Sequence, residues 1–212
     1  TITITSPSAG AYITNTTPTI EFQVKDTDSG VNAGTIVVTV DGTAVSTVTK
    51  TAIDGGYKCT CTSPTLKDGS HTISVKASDN DGNAAAAKTA TFTVDTVPPT
   101  LQITAPSNDL ITNKKTVTVS GKTDDVSSKP VTVTVSGVTV TVGTDGTFTK
   151  DVTLVEGANT ITIVAKDKAG KTTTVTRKVT VDTSAPVIKS VTLTRNPVDC
   201  GKTFIIAVEI TD

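Results

Sequence analysis

The chain has 212 residues and a formal net charge of −1, with 35% hydrophobic, 18% charged and only 3% aromatic residues. A charge so near zero leaves no electrostatic footprint for nucleic acid or an anionic membrane surface, and no run approaches the roughly 18 apolar residues of a membrane-spanning helix. Length alone suits one or two domains. Thr, Val and Ile are abundant, and β-branched side chains favour strands. No secretory signal is visible and the first residue is Thr1, so the segment reads as part of a longer protein whose targeting signals lie elsewhere.

The chain opens with an alternating strand, Thr1-Ile2-Thr3-Ile4-Thr5, stopped by Ser6-Pro7. Ile20, Phe22 and Val24 share one face of the next strand, with Glu21, Gln23 and Lys25 on the other. After the polar loop Asp26-Thr27-Asp28-Ser29-Gly30 comes the run Ile36-Val37-Val38-Thr39-Val40, then Asp41-Gly42. Asp-Gly between apolar runs predicts a tight hairpin whose two central residues take positive φ. Val45 to Val48 reads as the returning strand, and Asp54-Gly55-Gly56 turns into Tyr57 to Cys61. Pro64 to Ser70 makes a corner, Ile73, Val75 and Ala77 face inward, and Asp79-Asn80-Asp81-Gly82-Asn83 leads to a last strand ending at Phe92 and Val94. Ala84 to Ala87 is too short to stand as a helix. About seven strands with turn signals every 8–12 residues predict an antiparallel sandwich.

The stretch Val94-Asp95-Thr96-Val97-Pro98-Pro99 then recurs as Val181-Asp182-Thr183-Ser184-Ala185-Pro186. Each copy ends an apolar run with proline, which has no amide hydrogen and cannot continue a central strand. Between the copies the chain repeats itself. Gly69 to Val75 aligns with Gly157 to Ile163, a shift of 157 − 69 = 88. Asp54-Gly55-Gly56-Tyr57 aligns with Asp145-Gly146-Thr147-Phe148, and Thr3-Ile4-Thr5-Ser6-Pro7-Ser8 with Gln102-Ile103-Thr104-Ala105-Pro106-Ser107. A period of roughly 90 residues denotes whole domains, not the short units of a solenoid. The division is 1–96, 97–183 and, from 184 to 212, the opening strands of a third domain cut short. In that last piece Val191-Thr192-Leu193 reads as a first strand and Phe204 to Ile210 as a second, with Phe204, Ile206, Val208 and Ile210 on one face. Two strands cannot bury such a face alone.

The pieces Asp68-Gly69-Ser70-His71-Thr72-Ile73, Ala77-Ser78-Asp79-Asn80-Asp81-Gly82-Asn83, Val94-Asp95-Thr96-Val97-Pro98-Pro99 and Ala165-Lys166-Asp167-Lys168-Ala169-Gly170 resemble bacterial immunoglobulin-like domains. Their order and spacing carry the resemblance, which covers both complete units and the opening of the third. It implies tandem immunoglobulin-like sandwiches arranged end to end, in an extracellular multidomain protein of the bacterial cell surface or secreted. Such domains serve as spacers or stalks in adhesins, cell-wall proteins and secreted polysaccharide-degrading enzymes. The family brings no fixed catalytic residues, and the chain has no Trp, so antibody-like recognition does not follow. The expected function is a non-catalytic spacer presenting a distal module. The alternatives are an adhesion module binding a host or polymer ligand through loops, and an accessory domain of a polysaccharide-degrading enzyme.

Chemistry is sparse. No nucleophile elbow, phosphate loop or Cys-x-x-Cys motif occurs, so no catalytic, cofactor-binding or metal residue is assigned. His71 stands alone at the start of a strand opposite Asn159 in the repeat, and reads as an exposed polar residue. Cys59 and Cys61, two apart on a strand, share a face and read as small buried thiols, not a mutual disulfide; Cys200 has no evident partner. Phe22, Phe92, Phe148, Phe204 and Tyr57 fall at core positions, which leaves Tyr12 as the one exposed ring for a sugar. Most carboxylates fall in turns, where Asp bonds nearby backbone amides. One alternative stays open. Asp95, Asp124-Asp125 and Asp167 come from three segments expected at one end of the second unit, and Asp26, Asp28, Asp79, Asp81 and Asn83 hold the corresponding places in the first. Several loops offering hard oxygen ligands suit calcium, whereas Lys166, Lys168 and Lys171 oppose it.

Overall fold

The computed structural model describes residues 1–194, 200–201 and 205–211. The first unit holds β1 (Ile2–Ser6), β2 (Tyr12–Ile13), β3 (Thr19–Lys25), β4 (Val31–Val40), β5 (Thr43–Ala44), β6 (Thr49–Ile53), β7 (Gly56–Thr62), β8 (Gly69–Asp79) and β9 (Lys88–Val94). One sheet runs β1-β3-β7-β6 and the other β2-β9-β8-β4-β5. Two sheets with one apolar face each must bury those faces against one another. The alternation does this: in β3, Ile20, Phe22 and Val24 are buried, and in β8, Ile73, Val75 and Ala77. Cys59 and Cys61 of β7 lie buried in the same core as free thiols.

The second unit repeats the arrangement with β10 (Thr100–Ala105), β11 (Leu110–Thr112), β12 (Thr116–Asp124), β13 (Thr132–Val135), β14 (Val138–Val140), β15 (Thr147–Thr153), β16 (Gly157–Lys166) and β17 (Thr172–Val181). Its sheets run β10-β12-β15 and β11-β17-β16-β13-β14. The core of Val117, Val119, Phe148, Ile161, Ile163, Val179 and Val181 shares no residue with that of the first unit. Even the irregularities match: register shifts between Ile4 and Ser6 in β1, and between Ile103 and Ala105 in β10. The Asp41-Gly42 hairpin takes the expected geometry, with φ of 51° and 81°. The aromatic-bearing turn of the second unit needs Gly146 for space as well: its φ is 82°, and a Cβ there would sit 2.1 Å from the Thr123 carbonyl oxygen.

Three details differ from the sequence reading. Val45 to Val48 is not a returning strand; the chain pairs with β4 through Thr43–Ala44, the Val45 amide adds one bond to the Val38 carbonyl (2.9 Å), and the chain then crosses to the opposite sheet, starting β6 at Thr49. The sheets are not wholly antiparallel, because β2 runs parallel to β9 and β11 parallel to β17. Tyr57 is only half-buried, packed at the margin of the core. Beyond the second unit, β18 (Val187–Thr194) and β19 (Ile205–Thr211) form an antiparallel hairpin. Ile206, Val208 and Ile210 are exposed on it. Phe204, expected on that face, lies outside the described residues.

Candidate functional site

The joint between the two units starts where β9 ends. The Asp95 amide continues the parallel ladder by donating to the Ile13 carbonyl (2.8 Å). The Thr96 amide and hydroxyl both donate to the Asp68 carboxylate (3.1 and 3.0 Å), and the Val97 amide donates to Asp95 Oδ1 (3.2 Å). These bonds turn the Asp95 carboxylate away from its own unit. It is 1% exposed and meets two loops of the second unit.

One loop follows β12. There Asp125 Oδ1 accepts the amides of Ser127 (2.9 Å) and Ser128 (2.7 Å), and the fully buried Ser128 hydroxyl donates to Asp95 Oδ2. The other loop follows β16. There Asp167 Oδ1 accepts the Lys171 amide (2.8 Å). Asp125 and Asp167 are each 5% exposed. One carboxylate oxygen from each of Asp95, Asp125 and Asp167 lies within 4.8 Å of the others. Two like charges at such a distance repel by roughly 3 kcal/mol at an effective dielectric near 20. The neighbours that answer this repulsion are backbone amides and one hydroxyl. The ion pairs among the described residues involve other groups, and Asp167 Oδ2 is buried without a hydrogen-bond partner.

The sequence placed four acids here, and the structure brings three of them together. Asp124 is exposed and pairs with Lys129 at 2.7 Å, a bond that holds its carboxyl below the usual range. The cause is the strand period: adjacent residues at a strand end point to opposite sides. The lysines do not fill the cluster. Lys171 contributes its backbone amide, and the Lys168 ammonium sits 5.1 Å over the Tyr12 ring, a cation–π contact from the second unit to the first. Ser128 was not singled out from the sequence, although Asp-x-Ser-Ser beyond a strand is a signal for side chains that bond local amides.

The corresponding loops of the first unit serve as an internal comparison. Asp26 Oδ2 accepts the Gly30 amide (2.8 Å), and Asp79 Oδ1 the Asn83 amide (2.8 Å). Asp79 Oδ2, unlike that of Asp167, is satisfied by the Asn83 side-chain amide at 2.9 Å. This bond lowers the Asp79 carboxyl from its ordinary value. Asp28 and Asp81 are exposed.

His71 is not exposed as expected but 8% exposed, beside the Phe92 ring. Its Nδ1 meets Asp41 Oδ2 and its Nε2 the Lys67 carbonyl oxygen, both at 2.7 Å. Burial works against the charged ring, but the bonds to Asp41 and Lys67 outweigh it, so its pKa is raised above the usual 6.5. Burial likewise pushes the Cys61 thiol up to about 11, with Cys59 adding to it.

Residues 5–96 match the model of the bacterial Ig-like domain, and residues 99–183 match glucodextranase domain B. Bacillopeptidase F of Bacillus subtilis (strain 168) is 30% identical over 185 residues, which is 87% of this chain but only 12% of that protein. Among solved structures, the fibronectin(III)-like modules of Clostridium thermocellum CbhA align over 85% of this chain and 94% of theirs, with a TM-score of 0.52 and 21% identity. That likeness concerns the fold. The chain is a tandem of immunoglobulin-like β-sandwiches, of which residues 5–96 are similar to the bacterial Ig-like domain and residues 99–183 to domain B of glucodextranase.

Proposed function

We propose that this chain is a non-catalytic spacer in an extracellular bacterial protein, holding neighbouring modules of that protein apart. The observation that carries the reading is the first joint: a short, proline-bearing segment whose Asp95 is buried against the following unit. A joint packed in this way resists bending, whereas a flexible linker would leave the domains free to reorient. The matched names agree with a part of something larger, since one is domain B of glucodextranase and bacillopeptidase F exceeds this chain several-fold in length. Small-angle scattering on residues 1–212 tests the proposal. A spacer gives a rod-like distance distribution with the units end to end. A compact particle with the units side by side contradicts it.

A second reading draws on the match of residues 99–183 to glucodextranase domain B: an accessory unit of a carbohydrate-degrading enzyme. Tyr12, expected to be exposed, is half-buried and lies under the Lys168 ammonium, which disfavours sugar stacking there. Retardation of the chain in a gel containing dextran would support the accessory role, and unchanged mobility would leave the spacer.

A further inference from the structure

We propose that Asp95, Asp125 and Asp167 form a calcium site at the joint between the two units. The donor set is all oxygen and all carboxylate, the set a hard divalent cation takes; zinc and the softer metals favour imidazole or thiolate. Calcium holds its oxygens at about 2.3–2.6 Å, so two ligands of one ion lie at most about 5 Å apart. The three carboxylate oxygens here fall within 4.8 Å of one another. The donors come from the joint, the β12–β13 loop and the β16–β17 loop, so a single ion would tie the first unit to the second.

Asp167 Oδ2 is what takes this beyond a cluster of acids. It belongs to a side chain 5% exposed, it is buried, and no hydrogen bond reaches it. A buried polar atom left unpartnered is costly, and native structures seldom leave one without a water or an ion. Its counterpart Asp79 Oδ2 carries the Asn83 amide instead. At Asn83's place the second unit has Lys171, whose ammonium does not pair with the carboxylate. Where no Asp95 faces the loop, the second oxygen is satisfied within the loop; where Asp95 does, it is left without a partner on a carboxylate clustered with two others. Backbone amides fix Oδ1 of Asp95, Asp125 and Asp167 in place before any ion arrives. Such preorganisation lowers the cost of binding.

The site stands on this geometry whether or not the chain is a spacer, and the test keeps the two apart. The full chain, freed of metal with chelator, is titrated with calcium chloride by calorimetry and melted across a calcium series. The expected result is one ion per chain and a melting temperature that climbs with the logarithm of calcium once the site saturates. Asp167→Asn should abolish both, while Asp79→Asn, at the matching place in the first unit, should leave both unchanged. Magnesium, which demands a tighter octahedron, should bind at least tenfold more weakly. The proposal is overturned if the wild-type chain shows neither heat nor a melting shift up to millimolar calcium. It is overturned equally if Asp167→Asn retains the full response, or if magnesium binds as tightly. Should Asp167→Asn fail to fold, the wild-type titration decides alone: one ion bound upholds the site, and none removes it.

Discussion

The two joints of this chain share one hydrogen-bond scheme and differ in what it faces. At the first, Thr96 bonds Asp68 twice and Val97 donates to Asp95 Oδ1. At the second, Thr183 bonds Glu156 twice (2.8 and 2.7 Å) and Ser184 donates to Asp182 Oδ1 (3.0 Å). The Asp95 and Asp182 amides both extend the parallel ladder, to Ile13 and Thr112. Yet Asp95 is buried and Asp182 exposed. The clamp is therefore local, written into each unit's own end. The burial belongs to the contact with the following unit, through Ser128, Asp125 and Asp167. The repeated Val-Asp-Thr stretch sets the exit direction of the chain, and the next unit's loops decide whether that direction is locked.

Breaking the lock should cost most. Ser128→Ala removes the buried hydroxyl that donates to Asp95 Oδ2, and a buried acceptor deprived of its donor costs about 1–3 kcal/mol. Asp182→Ala, at an exposed carboxylate, should stay within about 0.5 kcal/mol. Urea denaturation of both variants in the same buffer measures the pair; equal losses would mean that burial at the first joint contributes nothing.

Weakening the clamp sharpens the likeness of the two joints. Asp68→Ala deletes both bonds to Thr96, and at an exposed site should cost roughly 0.5–1 kcal/mol. Glu156→Ala should act in the same direction on the second unit. The bonds from Thr183, backbone first and then hydroxyl, lower the Glu156 carboxyl below its usual 4.5. Its contribution is therefore present above that value and fades as pH falls through the folded value. Melting curves at pH 7 and in acid read this out, and a Glu156→Ala loss that persisted undiminished in acid would contradict it.

The smallest effect separates the units by pH. His71 and Asn159 occupy corresponding positions, and each holds the carbonyl four residues earlier: His71 that of Lys67 (2.7 Å), Asn159 that of Val155 (2.8 Å). Only His71 titrates. Its folded pKa is raised, so its stabilisation is complete below about 6.5 and is lost as pH rises through the folded value. Asp41 is shifted the opposite way, its bonds to His71 and Thr72 outweighing burial, so its share fades in acid below the usual 3.8. The first unit should lose a few tenths to about 1 kcal/mol between pH 6 and pH 8, and His71→Asn should flatten that slope. A slope unchanged in the variant would place the titration elsewhere.

Much of this was legible in the sequence because strand alternation has a period of two and survives every loop-length change. Phe22, Phe92, Ile161 and Val181 could be placed inside from pattern alone. The joints were legible because proline and the repeated Val-Asp-Thr mark them. Three features were not, each for a physical reason. The parallel strand Tyr12–Ile13 is two residues long and carries no period. The burial of His71 depends on Asp41, 30 residues away and in a turn, so no local pattern announces it. At the joint, convergence of three segments could be argued from topology. The choice of Asp125 over Asp124 follows the phase of Val117, Val119 and Thr123 in β12, but the buried bond from Ser128 to Asp95 could not be read, because it joins a loop without a period to the end of the other unit.

The first joint, with Asp95 buried against the second unit, should hold the two sandwiches in one orientation. Spin labels test it most directly, attached through Thr51→Cys in β6 and Thr149→Cys in β15, both exposed strand positions. Cys200→Ser removes the exposed native thiol, while the buried Cys59 and Cys61, their thiol pKa values raised by burial, are poor targets for labelling. A locked joint gives a single narrow distribution of label-to-label distances. A broad distribution, as given by two domains on a free tether, would contradict it.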